Sequence, residues 1–376
     1  MNAQNVDSKP KVRKETKNKI KVDFERTPFK ERFKAKYLTL TFAKKIAWAI
    51  VRYILLVGIA YIVLFPFFSK ISASVMATED FTDTMVRLIP KHFSLDIYKA
   101  IFVEQEYMRA FGNTLVLSLS TALIQTFICS FIAYGFAKFK FKGNKLLFAI
   151  VILTMIIPHR TIASAMRGAF LRFDILGIFG FLSGGGISFF GLEYNNDFLS
   201  SINLLGGLSD RFTVSGINLL DTYWPFMILS VCGLAFKNGL YIFLLRQFFM
   251  GVPDELEESA YIDGSGVFRT FFTIILPISI PMMITVFLFA FSWQWTDTFY
   301  TSNLMFFTAS KNKPYLLTEM ALDMPDSLRN LVANAKWEPA VKGAGGLTII
   351  APLVIMYLFC QKYLVQGIER SGLTAD

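Results

Sequence analysis

Few residues of this 376-residue chain have the types and spacing that chemistry needs. It contains no GxxxxGK[ST] phosphate-binding loop and no HExxH, GxSxG or paired-carboxylate arrangement. The two histidines, His92 and His159, share no ligand spacing, and Cys129, Cys232 and Cys360 form no CxxC pair. Metal, nucleophilic and P-loop chemistry are therefore not expected. What stands out is one segment, "LEESAYIDGSGVFRTFFTIILP", from Leu256 to Pro277. Just before it, Pro253 suits a first helical turn, and Asp254, Glu255, Glu257 and Glu258 complement the positive helix end. Ser259 and Ala260 are small, so a partner surface can approach there. Asp263-Gly264 breaks the helix. "VFRTFFTIILP" resumes an apolar helix expected to end at Pro277. A helix, a sharp turn and a helix make a shaped docking element.

A second set comprises polar residues inside apolar stretches, where ionisable groups mark function by default. Lys237, with Asn238 and Gly239 in "AFKNGLYIF", lies too deep to reach water along its stem. It either lines an aqueous path or subunit contact, or stabilises a kink through nearby carbonyls. Gln125 is a weaker case of the same kind. Arg52, near a span end, can snorkel. Trp293, Gln294, Trp295 and Asp297 cluster at another span end. They suit sugar faces, but an interfacial aromatic belt is the reading this pattern favours.

The elements that position these residues are apolar runs. The chain is 54% hydrophobic with 40 Phe and 18% charged residues, too apolar for an ordinary soluble domain. Runs of about twenty residues recur, each long enough to cross a bilayer as a helix. An all-α polytopic membrane protein is expected, with six spans: Ile46–Phe68, Thr114–Phe136, Leu146–Ala165, Tyr223–Leu245, Ile274–Trp293 and Leu347–Tyr363. The net charge of +10 follows topology rather than nucleic acid. Residues 1–45 carry 14 Lys/Arg against 5 Asp/Glu, and "KFKFKGNK" (Lys138 to Lys145) has four lysines and no acid. The positive-inside rule puts both in the cytoplasm. The C-terminal tail (369–376) and the connection at about 246–273 then lie inside too. The tail has no cleavable signal pattern, so the first run remains as an anchor. The tail is either a topology anchor or a segment resting on anionic membrane lipid. Long connections at about 69–112, 168–222 and 294–346 are left outside the permeability barrier, with the turn residues of folded loops.

The spacing Glu258-Ser259-Ala260, Gly264 six residues after the glutamate, then Ile274-x-Leu276-Pro277 resembles the "EAA" signature of importer permeases of the ATP-binding-cassette type. Ser259 departs from the family's usual alanine but is also small. "FGNTLVLSLSTALIQTFICSFIAYGFAKFKFKG" from Phe111, "INLLDTYWPFMIL" from Ile217, "FSWQWTDTFY" from Phe291 and "CQKYLVQGI" from Cys360 are similar to the carbohydrate, maltose-type branch. The likeness covers about Tyr53 to Ile368. The 168–222 connection looks longer than the family's.

The resemblance implies a permease domain over 46–368 that imports a sugar or oligosaccharide by alternating access. Its implied partners are a second permease subunit, two ATPase subunits that bind ATP and Mg, and an external solute-binding protein. This chain is implied to hold no cofactor and to catalyse no reaction. Glu258, Ser259, Ala260 and Gly264, with Asp263 beside them, are implied to seat in an ATPase groove. Maltose-type systems can place most substrate contacts in the partner permease. Amino-acid and other small polar solutes are carried by permeases with the same motif. A membrane glycan-modifying enzyme is the reading from another class, but the carboxylates Asp80, Asp83, Glu104 and Glu106 are scattered.

Overall fold

In the computed structural model, residues 40–174, 216–302, 305–308, 310, 313–329 and 336–370 are described, with short strands at 13–14, 20–21, 187–189, 192–194 and 212–213. Most of the basic tail, most of the 168–222 connection and the end beyond 370 lie outside the described residues. The chain divides into two compact units, Met1–Ser69 and Lys70–Asp376. Among the described residues, strands pair only as antiparallel ladders of two or three residues, beginning with β1 (Arg13–Lys14) against β2 (Ile20–Lys21).

Helix α1 (Leu40–Ser74) contains the first apolar run and continues past it through Pro66. After α2 (Asp96–Val103), α3 (Tyr107–Lys138) runs unbroken for 32 residues. Its buried face reads Ala110, Leu117, Ala122, Cys129 and Ala133, each 0–1% exposed. Small side chains let neighbouring helices approach closely, the usual basis of packing within a membrane. Against this face pack α7 (Asn238–Met250) and α10 (Leu276–Trp295), and α13 (Trp337–Arg370) lies on α10.

Two expected spans are not single helices. The third divides into α4 (Asn144–Ile156) and α5 (His159–Leu171), bent by 100°. Pro158 is the cause: it forces Ile157 into an extended conformation (φ −65°, ψ 121°) where no helix can continue. The fourth divides into α6 (Trp224–Val231) and α7, with Gly233 at φ +70° and Lys237 at φ +69° ending the first piece and opening the second. Among the described residues, four helices are long and apolar enough to cross a membrane, or five if α4 and α5 count as one span.

The helix after the docking turn does not end at Pro277. α8 (Glu255–Ile262) closes at Gly264, whose φ of +79° suits glycine, and α9 (Val267–Thr270) follows. A π-turn, Phe271–Ile275, leads directly into α10, with the Leu276 N–H bonded to the Phe271 carbonyl. Pro277 follows inside this continuous run, and the wider turn accommodates the N–H that proline lacks. Val267 to Trp295 is thus one 29-residue run. The helices also extend beyond the expected connections: α7 reaches Met250, and α13 begins ten residues before Leu347. There an i,i+4 ion pair of Glu338 and Lys342 (2.6 Å) supports a polar first turn that the apolar run omits.

The connection after α1 and the one after α10 are folded, as their turn residues predict. Asp80, 3% exposed, accepts the backbone N–H groups of Lys91 and His92 at 2.9 Å and meets His92 Nδ1 at 2.8 Å. Gln105 Nε2 donates to the carbonyls of Met320 (3.2 Å) and Asp323 (2.8 Å), and Asn113 Nδ2 to that of Tyr315. These bonds tie both connections to the same end of α3.

Candidate functional site

The docking segment is held from behind. Lys138, the last residue of α3, has a side chain only 6% exposed. Its Nζ donates to the Val252 carbonyl at 2.6 Å and to Asp254 Oδ1 at 2.6 Å, and stands 3.9 Å from Glu257 Oε2. It thereby fastens the first turn of α8 to the end of a span. Lys138 holds the Asp254 carboxyl below its ordinary range. Ala260 (4% exposed) and Glu257 (7%) face inward, so the small residue at Ala260 serves packing within this chain. Glu258, Ser259, Asp263 and Gly264 face out. Ser259 Oγ donates to the Glu255 carbonyl at 2.7 Å, which spends its hydroxyl inside the helix. Around them Ile262 (86% exposed), Phe268 (65%), Tyr261 and Leu256 form an uncovered apolar patch beside the acids. An apolar patch with a charged rim is the surface of an interaction site.

Below this patch the π-turn packs on α3. Phe271 meets Phe131 at 5.8 Å and Tyr134 at 4.9 Å between ring centres, and Phe268 stacks on Phe131 at 6.0 Å. The aromatic residues of "IQTFICSFIAYGF" therefore carry the second arm of the docking segment.

The substrate candidates divide into two groups. Gln125 and Asn238 are buried at 4% and 1% between α3, α6 and α7. Gln125 Nε2 donates to Ser230 Oγ at 3.3 Å, whereas both amide atoms of Asn238 lack a partner. Trp295 is 1% exposed, donates to the Ile349 carbonyl at 3.0 Å and stacks on Phe291, so it is a core residue that locks α10 to α13. Trp293 points the other way. Its ring lies 4.8 Å from Lys237 Nζ, with the Phe236 ring 4.7 Å away on the same cation. Two aromatic faces stabilise a lysine by about 0.5–2 kcal/mol. That only offsets part of the cost of a lysine within a bilayer, about 2.5–3.5 kcal/mol on insertion scales.

Lys237 lines a hollow of about 130 Å³ with Thr154, Met155, His159, Gly233 and Gly239. His159 packs edge-on to Phe236 at 4.7 Å and meets the Tyr300 hydroxyl through Nδ1. Gly239 is required here by close approach. A Cβ would lie 2.7 Å from Met155 Cγ, 2.8 Å from Thr154 Oγ1 and 3.0 Å from the Val151 carbonyl, where α4 crosses α7. Composition and span-finding missed His159, Phe236 and Tyr300, although Pro158 and the Lys-Asn-Gly triplet both flag a break. Among the described residues no three His, Cys, Asp or Glu side chains converge on a metal.

Four long apolar helices, with two further apolar stretches broken around the hollow that holds Lys237, define an integral membrane protein. Residues 125–370 match the model of the family described as binding-protein-dependent transport system inner membrane component. The chain belongs to that family, which makes it a transport subunit and not an enzyme. It is 26% identical over 324 residues to the galactooligosaccharides transport system permease protein GanQ of Bacillus subtilis, covering 85% of this chain and 93% of the relative. It is 25% identical over 321 residues to the maltodextrin transport system permease protein MalD of Streptococcus pneumoniae, with the same coverages. In fold it is similar to a chain in the crystal structure of a bacterial ABC transporter involved in the import of the acidic polysaccharide alginate. That likeness has a TM-score of 0.61 and 20% identity, over 85% of this chain and 97% of the other.

Proposed function

We propose that this chain is the permease subunit of an ATP-driven importer that moves a sugar or oligosaccharide across the cell membrane by alternating access. A second permease subunit, two ATPase subunits that bind ATP and Mg, and an external solute-binding protein complete the machine. The chain crosses the membrane six times, with the third and fourth spans made of α4–α5 and α6–α7 and both termini cytoplasmic. The permease domain is 46–368, between the basic tail and the last eight residues.

One observation carries this reading. The uncovered residues Leu256, Tyr261 and Ile262 of α8, with Glu258, Ser259, Asp263 and Gly264 beside them, lead through the turn at Gly264 into the Val267–Trp295 run, on which Phe268 lies. An ATPase that grips this patch moves a span directly. Ala260 serves the same docking from inside by seating α8 on its own bundle. The relatives named for oligosaccharides favour sugar over other solutes.

Purification of the chain from its host membrane, followed by identification of bound proteins, tests the machine. An ATPase with a Walker A motif is expected in the complex and is expected to be lost when Ile262 and Phe268 are changed to Asp. Retention of the ATPase by that double variant would place the docking surface elsewhere.

A further inference from the structure

We infer that the saccharide carried past this subunit is anionic, and that Lys237 forms the charge-selective point of its route. This rests on the importer reading above and names the class of its cargo.

The two span breaks lie at one depth. α4 and α7 are each 13 residues long, so the Pro158 break and Lys237 both stand about 20 Å from the end that carries "KFKFKGNK" and the docking segment. The two helices cross at Gly239 and stack Phe148 on Phe243, which fixes the breaks side by side around the hollow. Interrupted helices near the bilayer midplane are where transporters bind their cargo.

Among the residues that line the hollow, Lys237 is the one Lys, Arg, Asp or Glu, with His159 and Thr154 beside it. Among the described residues Lys237 has no ion pair, and its Nζ meets the Phe236 and Trp293 rings. The Asp297 carboxylate does not line the hollow and accepts the backbone N–H groups of Phe299 (3.1 Å), Tyr300 (3.3 Å) and Thr301 (2.9 Å). The Asn238 amide beside Lys237 is buried and unpaired. Lys237 also holds φ +69°, a conformation that favours glycine. A residue placed there against its backbone preference, with its charge uncompensated, marks a functional point rather than a structural one. The exposed Trp293 ring supplies a face for stacking, and the Lys237 ammonium supplies the counter-charge for an acidic group on the sugar.

The test uses intact cells that carry the complete importer. Cells are incubated with mixed hydrolysates of a uronate, a sulfated and a neutral polysaccharide, and mass spectrometry follows which oligosaccharides disappear. A strain lacking this chain defines the cargo. Uronate or sulfated oligosaccharides are expected to depend on the chain, and the depleted pool identifies the acidic group. Lys237→Gln is expected to slow their uptake about ten- to hundredfold, as loss of a charged hydrogen bond would. Lys237→Arg is expected to restore it. Exclusive dependence of neutral oligosaccharides would overturn the inference and leave the importer reading standing. Unchanged anionic uptake in Lys237→Gln, or failure of Lys237→Arg to restore uptake, would also overturn it. If no oligosaccharide depends on the chain, the importer reading itself falls.

Discussion

Lys138→Met tests whether the docking segment is a rigid lever. Methionine keeps the apolar stem and removes only the ammonium. Three contacts are lost. The Val252 carbonyl gives up a charged donor at 2.6 Å and is left unpaired, at about 1–3 kcal/mol. Glu257, whose side chain is 9% exposed, loses its cation at 3.9 Å. Breaking a well-buried pair costs about 3–5 kcal/mol, but this pair is long and the carboxylate can turn toward water, so about 1 kcal/mol is reasonable. The Asp254 contact is discounted entirely, because that carboxylate is 77% exposed. The total is about 2–4 kcal/mol, spent on holding α8 to α3. At 1.4 kcal/mol per tenfold, the amides of α8 should exchange with deuterium roughly 30 to 700 times faster. The assay is hydrogen exchange on the protein in lipid nanodiscs, with the α3 amides from Thr114 to Phe127 as the internal reference. Acceleration in α8 with α3 unchanged is expected, together with fewer sugars moved per ATP. Exchange in α8 within threefold of the original would show that Lys138 does not hold the segment.

Three further outcomes are expected. Gly264→Leu should insert normally, since a Cβ there meets nothing within 4 Å, but φ +79° costs a leucine about 1–2 kcal/mol and reshapes the turn; uptake at the original rate would remove Gly264 from the coupling surface. Gly239→Ala should lower thermal stability by up to about 2 kcal/mol, the overpacking cost of about 1–3 kcal/mol less the helix-propensity gain of about 1 kcal/mol; a raised melting temperature would mean α4 does not cross there. The backbone N–H of His92 holds the Asp80 carboxyl below its ordinary value of 3.8, with the His92 ring and the Lys91 N–H also lowering it and burial opposing. Its contribution is therefore present in full above that ordinary value and disappears as pH falls through the lower folded value. Protease resistance of residues 78–103 should fall in that acid window, and Asp80→Asn should lose the pH dependence; a variant that keeps it would assign the effect to another group.

Much of the architecture was legible because a membrane imposes long apolar runs. Every expected span has a helix within it, and Gly264 ends α8 where Asp263-Gly264 marks a break. The misses have physical causes. A hydropathy window averages over Pro158 and over the Gly233–Lys237 stretch, so it joins pieces that the backbone separates. The π-turn has no signal except the proline it precedes. Lys138 read as a topology charge, because its partners at Val252, Asp254 and Glu257 are more than a hundred residues away. Trp293 and Trp295 looked alike in sequence, and only packing assigns one to the core and the other to the hollow.

The π-turn at Phe271–Ile275 has one more consequence. One extra residue in a helical turn rotates everything beyond it by about 100°, since each residue advances the helix by that angle. The turn therefore works as a phase setting between the two ends of the Val267–Trp295 run. It fixes which way Phe268 points when Trp293 points at Lys237. Deleting one residue within the turn would leave both surfaces chemically intact and turned away from each other's register. A single position of chain length, rather than any side chain, then decides whether force applied at one end arrives at the other in the right direction.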